Sequence, residues 1–175
     1  MANTTFDGPV RSKNGFQSIG PGASIALTLA TNLTVAAHAG RLLTMDPAGT
    51  PTAITLPTIN STADNPIAGP GSDPSNPNTV GTTFEILFID EFTGTISTDG
   101  TDKFVGSLMV GVNDGAKKAF VPAAANDVVN LNGEGAGTSG GLIGSRVKFT
   151  AIADNQYMVE GLLIGTGTVV TPFSN

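Results

Sequence analysis

RVKFTAIADNQYMVEGLL, residues 146–163, is the stretch that decides the fold of this chain. Apolar and polar residues alternate over 146–150, within a predicted strand 146–153, and this period of two is typical of a strand with one buried face. Asp154 and Asn155 follow, and both residue types favour tight turns. The segment 156–163 completes the pattern, so the stretch predicts a β-hairpin.

Further strands are predicted on the N-terminal side of this hairpin. TTFEILFID, residues 82–90, carries large apolar side chains on both faces, so we expect a central strand that is covered on both sides. The other predicted strands are 25–35 (one strand or a strand pair), 41–45, 53–56, 93–97, 103–112, 117–121 and 127–131. Turn signals separate them about every 8–15 residues, which is typical of sandwiches and barrels.

These patterns predict an all-β fold, an antiparallel two-sheet sandwich that is jelly-roll-like, with an extended N-terminal arm. We place the arm at residues 1–22, which end in a Gly-Pro-Gly turn signal, and the sandwich domain at residues 23–175. Residues 59–81 are rich in Asn, Asp, Ser, Gly and Pro and predict one long loop.

Composition argues against several functional classes. The chain has 175 residues, which fits one domain, and a net charge of −6 without a basic stripe, so we expect no nucleic-acid partner. It contains no Cys, which excludes disulfides and thiol chemistry. The start lacks the apolar segment of a signal peptide, and polar residues interrupt the most apolar stretch, 25–37, so we expect a protein made in the cytosol with no membrane partner.

Two glycine-rich motifs overlap in the predicted loop 132–144. Residues 135–140 match G-x-G-x-x-G, which binds pyrophosphate only where it opens a helix, and no helix is predicted here. Residues 137–141 match G-x-S-x-G, but a nucleophile elbow needs a later His, and the one His of the chain, His38, comes earlier. We therefore predict a loop, a protein that is not an enzyme, and no cofactor.

Several acidic residues and one Tyr are candidate site residues. Asp99, Asp102 and the pair Asp90-Glu91 could gather round a cation, although their spacing fits turns better than a calcium loop. Paired acids for glycoside hydrolysis remain open, because the two carboxylates need only meet in space. Tyr157, the only Tyr, is expected at the rim of the fold with its hydroxyl in water.

The arm carries the strongest signal for a partner. TTFDGPVRSKNGF, residues 4–16, has two aromatic residues and two cations around a Pro, whereas disordered tails are usually depleted in aromatic residues. A frayed terminus is the alternative. Spaced apolar anchors on a stiff strip suit extended binding across another protein. The candidate partner-binding residues are Phe6, Pro9, Val10, Arg11, Lys13 and Phe16.

The same stretch, together with TAITLPTI, VGTTFEILF, DKFVGS and the C-terminal GLIGSRVKFTAIADNQYMVEGLLIGTGTVVTPF, resembles head decoration, or cement, proteins of tailed bacteriophages, particularly those of marine and cyanobacterial phages. The resemblance implies a β-sandwich that forms a homotrimer on the outside of the capsid near three-fold positions. It also implies that the major capsid protein is the partner, and that the protein is made in the host cytoplasm and ends on the outer surface of the virion.

A binding module is the alternative from the residues alone. The same sandwich could be a phage tail-fibre tip or a lectin-like domain that recognises glycans. The loops 59–81 and 132–144 would then form the binding edge.

Overall fold

The computed structural model describes residues 24–46, 52–61, 79–112, 115 and 117–175. They form a sandwich of two β-sheets with one short helix, so the predicted all-β sandwich is confirmed. The predicted arm, residues 1–22, and most of the predicted loop 59–81 lie outside the described residues.

The strands follow the predicted segments closely. They are β1 (Ser24–Leu27), β2 (Thr31–Asn32), β3 (Leu42–Met45), β4 (Thr52–Thr55), β5 (Thr83–Phe88), β6 (Thr93–Ser97), β7 (Lys103–Val112), β8 (Lys117–Phe120), β9 (Val128–Asn132), β10 (Arg146–Ala153), β11 (Gln156–Gly165) and β12 (Phe173–Ser174). The helix α1 (Val35–His38) begins at the last residue of the segment 25–35, which was predicted as one strand or a strand pair. Thr34 caps this helix, because its side chain accepts a hydrogen bond from the backbone N–H of Ala37.

The two sheets differ in size. The large sheet has the order β1-β3-β5-β10-β11-β7-β8, and the small sheet has the order β12-β9-β6-β4-β2. The first six strands alternate between the sheets, so the chain crosses the sandwich at every step. Successive strands within each sheet are then parallel, β1 with β3 and β5, and β2 with β4 and β6.

This winding corrects the prediction of antiparallel sheets. Both sheets are mixed, because five of the ten strand pairings among the described residues are parallel. A strand that returns to the same sheet after a visit to the other sheet runs in its original direction, whereas a direct hairpin reverses it. The jelly-roll form of the prediction is not confirmed by this topology.

The predicted hairpin is present as β10 and β11. Val147 pairs with Gly161 and Phe149 with Val159, and the turn places Asn155 at φ 59°, in the left-handed region that Asn tolerates. Strand β11 then pairs in parallel with β7 along its whole length, from Gln156 opposite Lys103 to Gly165 opposite Val112.

The core lies between the inner faces of the two sheets. Strand β5 contributes Phe84, Ile86 and Phe88 to it, all fully buried. The other face of β5 carries Thr83, Glu85 and Leu87, which are only half-buried, so the expectation of cover on both sides was wrong. One face of the large sheet is therefore open to solvent. No helix in the described part of the chain has the length and apolar character needed to cross a membrane.

Candidate interaction surface

The open face of the large sheet carries exposed apolar side chains where neighbouring strands pair. Met109 of β7 lies opposite Leu162 of β11, and Val105 lies opposite Met158 on the same two strands. Met109 is 46% exposed, Met158 40% and Leu162 48%, while their neighbours along the strands point into the core. We call Val105, Met109, Met158 and Leu162 the apolar patch.

Two ion pairs lie within and beside the apolar patch, because Glu160, opposite Ser107, separates the pair Val105–Met158 from the pair Met109–Leu162. Arg146 Nε lies 2.7 Å from Glu85 Oε1, and Lys148 Nζ lies 3.0 Å from Glu160 Oε1. Arg146 is the cross-strand neighbour of Leu162, so charge and apolar surface meet along one row of the sheet. A shallow open depression lies at this boundary and is lined by Gly144, Arg146, Lys148, Glu160, Gly161 and Leu162.

This composition is suited to contact with another protein. Exposed apolar side chains that lie beside charged ones suit a protein interface, where apolar contacts and polar contacts are combined, and Met adapts its shape to different partners. Each of the two ion pairs lies on exposed side chains, so it contributes little to the stability of the fold. The pairs instead fix the charged ends of four side chains in place beside the apolar patch.

The predicted acidic residues do not form one cluster. Asp99 organises the turn before β7, since its Oδ1 accepts hydrogen bonds from the backbone N–H groups of Thr101 and Asp102, and its Oδ2 accepts one from the Thr58 hydroxyl. Burial raises the pKa of Asp99, but these hydrogen bonds outweigh it, so the pKa lies below the usual value. Asp90 lies elsewhere, in the exposed link between β5 and β6.

Asp102 is fully buried beside this turn. Its Oδ2 accepts a hydrogen bond of 2.9 Å from the backbone N–H of Ile59, and its Oδ1 has no hydrogen-bond partner among the described residues. Burial raises the pKa of Asp102 above its usual value, and the nearby charges of Asp99 and Asp154 add to the effect. Within the described residues, no group of three or more His, Asp or Glu side chains is arranged to hold a metal ion.

Tyr157 does not lie at the rim, which corrects the prediction. Its side chain is fully buried, and its hydroxyl donates a hydrogen bond of 2.7 Å to the backbone carbonyl of Pro57. Burial raises the pKa of the phenol strongly, and the charges of Asp102 and Asp99 raise it further. Tyr157, Asp99 and Asp102 therefore all fasten the segment 57–59, which leads into the long loop.

The glycine-rich motifs lie in a loop that Asn132 holds in shape. Asn132 Oδ1 accepts hydrogen bonds from both the backbone N–H and the hydroxyl of Ser139, and its Nδ2 donates one to the Thr138 hydroxyl. Ser139 is buried, and β10 follows the loop. His38 also has a local role, because its Nδ1 accepts a hydrogen bond from the backbone N–H of Thr34.

The candidate partner-binding residues of the arm, Phe6, Pro9, Val10, Arg11, Lys13 and Phe16, lie outside the described residues. The sequence reasoning missed the apolar patch. A signal for it was present, because Met158 and Leu162 occupy the polar positions of an alternating strand, where a solvated face would carry polar side chains.

Comparison with known proteins gives no relative for this chain. No family model matches it, no curated protein matches it, and no solved structure matches it.

Proposed function

We propose that this protein is a structural component of a virion, a decoration or cement protein that binds the outside of a phage capsid as a homotrimer. The observation that carries the proposal is the apolar patch, with its two ion pairs, on an open sheet face of a small acidic protein. The resemblance of the sequence to head decoration proteins supplies the identity of the partner.

The apolar patch favours assembly because it is more apolar than a solvated sheet face. One face of a sheet in contact with water normally carries polar side chains, as Thr83 and Glu85 of β5 and Arg146, Lys148 and Thr150 of β10 do here. Exposed apolar surface is a liability for a free monomer, so a second protein is the most economical explanation for it. The arm residues Phe6 and Phe16 would supply the apolar contacts to the major capsid protein.

A cement protein acts through binding alone. It binds the assembled shell and not the free capsid subunit, so by mass action it stabilises the shell against disassembly. Many copies share the load on one particle, and each contact needs only a modest affinity.

Binding to undecorated shells tests the proposal. Purified protein is mixed with expanded empty shells of the major capsid protein and sedimented through a gradient. We expect it to comigrate with the shells and to raise the temperature at which they open. Deletion of residues 1–16 should abolish this binding, while circular dichroism shows an intact β fold.

A control variant shows whether a substitution outside the arm leaves shell binding intact. Asp46→Asn changes an exposed charge of the described domain and should bind the shells like the wild type. If the full-length protein remains at the top of the gradient, or if the truncated protein binds equally well, the proposed mechanism is wrong. Binding to a glycan array instead would favour a lectin-like module.

A further inference from the structure

We infer that the apolar patch and the cations around it bind a second copy of this chain, and that the site they bind is the acidic loop end of that copy. The inference rests on the proposed function only for the number of copies in the ring. The acidic loop end is defined as Ile89, Asp90, Glu91, Glu134 and Ile143, all of which are exposed.

The charges of the described residues are unevenly distributed. Four of the six described cations lie on strands of the large sheet at positions that face its open side, whereas two of the ten described acids do. The cations are Lys103, Lys117, Arg146 and Lys148, and the acids are Glu85 and Glu160. Lys118 is directed to the other side of the edge strand β8, because it is paired with the buried Val110. Lys103 Nζ lies 2.5 Å from Asp127 Oδ2. A protein with a net charge of −6 therefore has one face where cations predominate.

Part of this cationic charge has no ion-pair partner among the described residues. Lys117 lies on β8 opposite Gly111, so it faces the open side in the row next to that of Ala119, Met109 and Leu162. Lys117 and Lys118 are exposed and form no ion pair with another described residue. Lys117 on the open face, with Lys118 at the edge formed by β8, therefore favours an acidic partner surface.

The acidic loop end has the complementary composition. Three backbone hydrogen bonds join its loops: Phe92 N–H to Gly141 O at 2.8 Å, Gly133 N–H to Phe92 O at 2.9 Å, and Gly144 N–H to Phe88 O at 2.9 Å. This joining brings Ile89 and Ile143, exposed by 48% and 56%, together with three acids. None of the three acids is in an ion pair with a described residue.

Two different surfaces that complement each other give a head-to-tail contact. Such a contact closes into a ring when the rotation between copies allows it, and three copies match the proposed trimer. Apolar side chains of the patch would meet Ile89 and Ile143, and Lys117 and Lys118 would meet Glu91 and Glu134. The exposed apolar surface of each copy is then covered by the next copy.

Charge reversal tests the contact in solution. Size-exclusion chromatography with light scattering should give the wild type a mass near three times 17.6 kDa. Glu91→Lys/Glu134→Lys and, separately, Lys117→Glu/Lys118→Glu should each raise the concentration at which half of the protein is trimeric by about tenfold or more. The variant with all four substitutions should recover the wild-type value, because both surfaces have changed sign.

Matched controls exclude effects of net charge and of apolar exposure. Asp154→Lys changes the charge by the same amount as Glu91→Lys alone, at an exposed acid in the turn between β10 and β11, and should leave the trimer intact. Leu162→Glu should dissociate it, whereas Leu29→Glu, at an exposed Leu between β1 and β2, should not. Circular dichroism of each variant confirms that the fold is retained.

The outcomes separate this inference from the proposed function. A monomeric or dimeric wild type overturns the ring, and so does a trimer that withstands both charge reversals. A trimer that follows the charge rules but fails to bind shells leaves the contact in place and overturns the proposed function. Shell binding by a protein whose trimer withstands both charge reversals overturns the contact and leaves the proposed function in place.

Discussion

At the scale of single residues, Asp102 makes the stability of the fold depend on pH. Its carboxyl group is fully buried, accepts one hydrogen bond and has a raised pKa, so the folded state holds the proton more tightly than the unfolded state. Its contribution to the free energy of unfolding is therefore greatest below the usual Asp value of 3.8 and decreases as pH rises through the folded-state pKa.

We expect Asp102→Asn to remove this decrease. Asn keeps an acceptor for the Ile59 N–H but carries no charge, so urea unfolding from pH 3 to pH 8 should show a flatter profile than the wild type. Asp102→Ala should be less stable than Asp102→Asn by about 1–3 kcal/mol at every pH, because the Ile59 N–H loses its partner.

Asp99→Asn serves as the control with the opposite sign. The pKa of Asp99 is lowered, so its contribution is present above the usual value and is lost as pH falls. This variant should lose stability mainly at neutral pH. If Asp102→Asn has the same pH profile as the wild type, Asp102 does not titrate as the structure indicates.

At the scale of elements, the parallel pairing of β7 and β11 depends on Gly106. This residue has φ 109°, and a Cβ atom there would lie 2.3 Å from the carbonyl oxygen of Val159 on the paired strand. Gly106→Ala should reduce the free energy of unfolding by about 3 kcal/mol or more, because backbone strain and a backbone clash add together.

Gly111→Ala on the same strand is the matched control for Gly106→Ala. Its added Cβ would meet Leu162 Cδ1 at 3.9 Å, an ordinary contact, so we expect a change within about 0.5 kcal/mol by thermal unfolding. Equal effects of the two substitutions would show that the approach of β7 to β11 is looser than described.

The elements also show what the sequence can and cannot predict. Strand β7 was predicted with its observed bounds, 103–112, because the alternation of its side chains is local. The direction of strand pairing was not predicted. A period of two is the same for parallel and antiparallel strands, and β3 pairs with β5 across the long loop. Tyr157 was misplaced for the same reason, because its partner, Pro57, is 100 residues away.

At the scale of the whole molecule, the parallel winding continues across the long loop because the ends of that loop are fastened together. Thr79 N–H donates to Asn60 O, and Asn60 N–H donates to Thr79 Oγ1, both at 2.8 Å. On either side, Ile59 is held by Asp102 and Gly81 N–H donates to Ala151 O at 2.7 Å. The loop ends are thus fixed by bonds that do not involve residues 62–78.

We therefore expect the sandwich to fold without residues 62–78. Replacement of this segment by four Gly or Ser residues should leave the melting temperature unchanged or raise it, since a shorter loop costs about 1 kcal/mol less to close. Differential scanning calorimetry and the near-ultraviolet signal of Tyr157, the single Tyr in a chain without Trp, measure the fold.

Thr79→Val in the shortened chain tests whether the hydrogen-bonded ends are the reason. It removes the acceptor for the Asn60 N–H and should lower the free energy of unfolding by about 1–3 kcal/mol, if that N–H is left without a replacement partner. A shortened chain that loses the Tyr157 signal would mean that residues 62–78 help to build the core. The parallel pairing of β3 with β5 would then depend on residues 62–78 as well as on the hydrogen bonds at the ends of the loop.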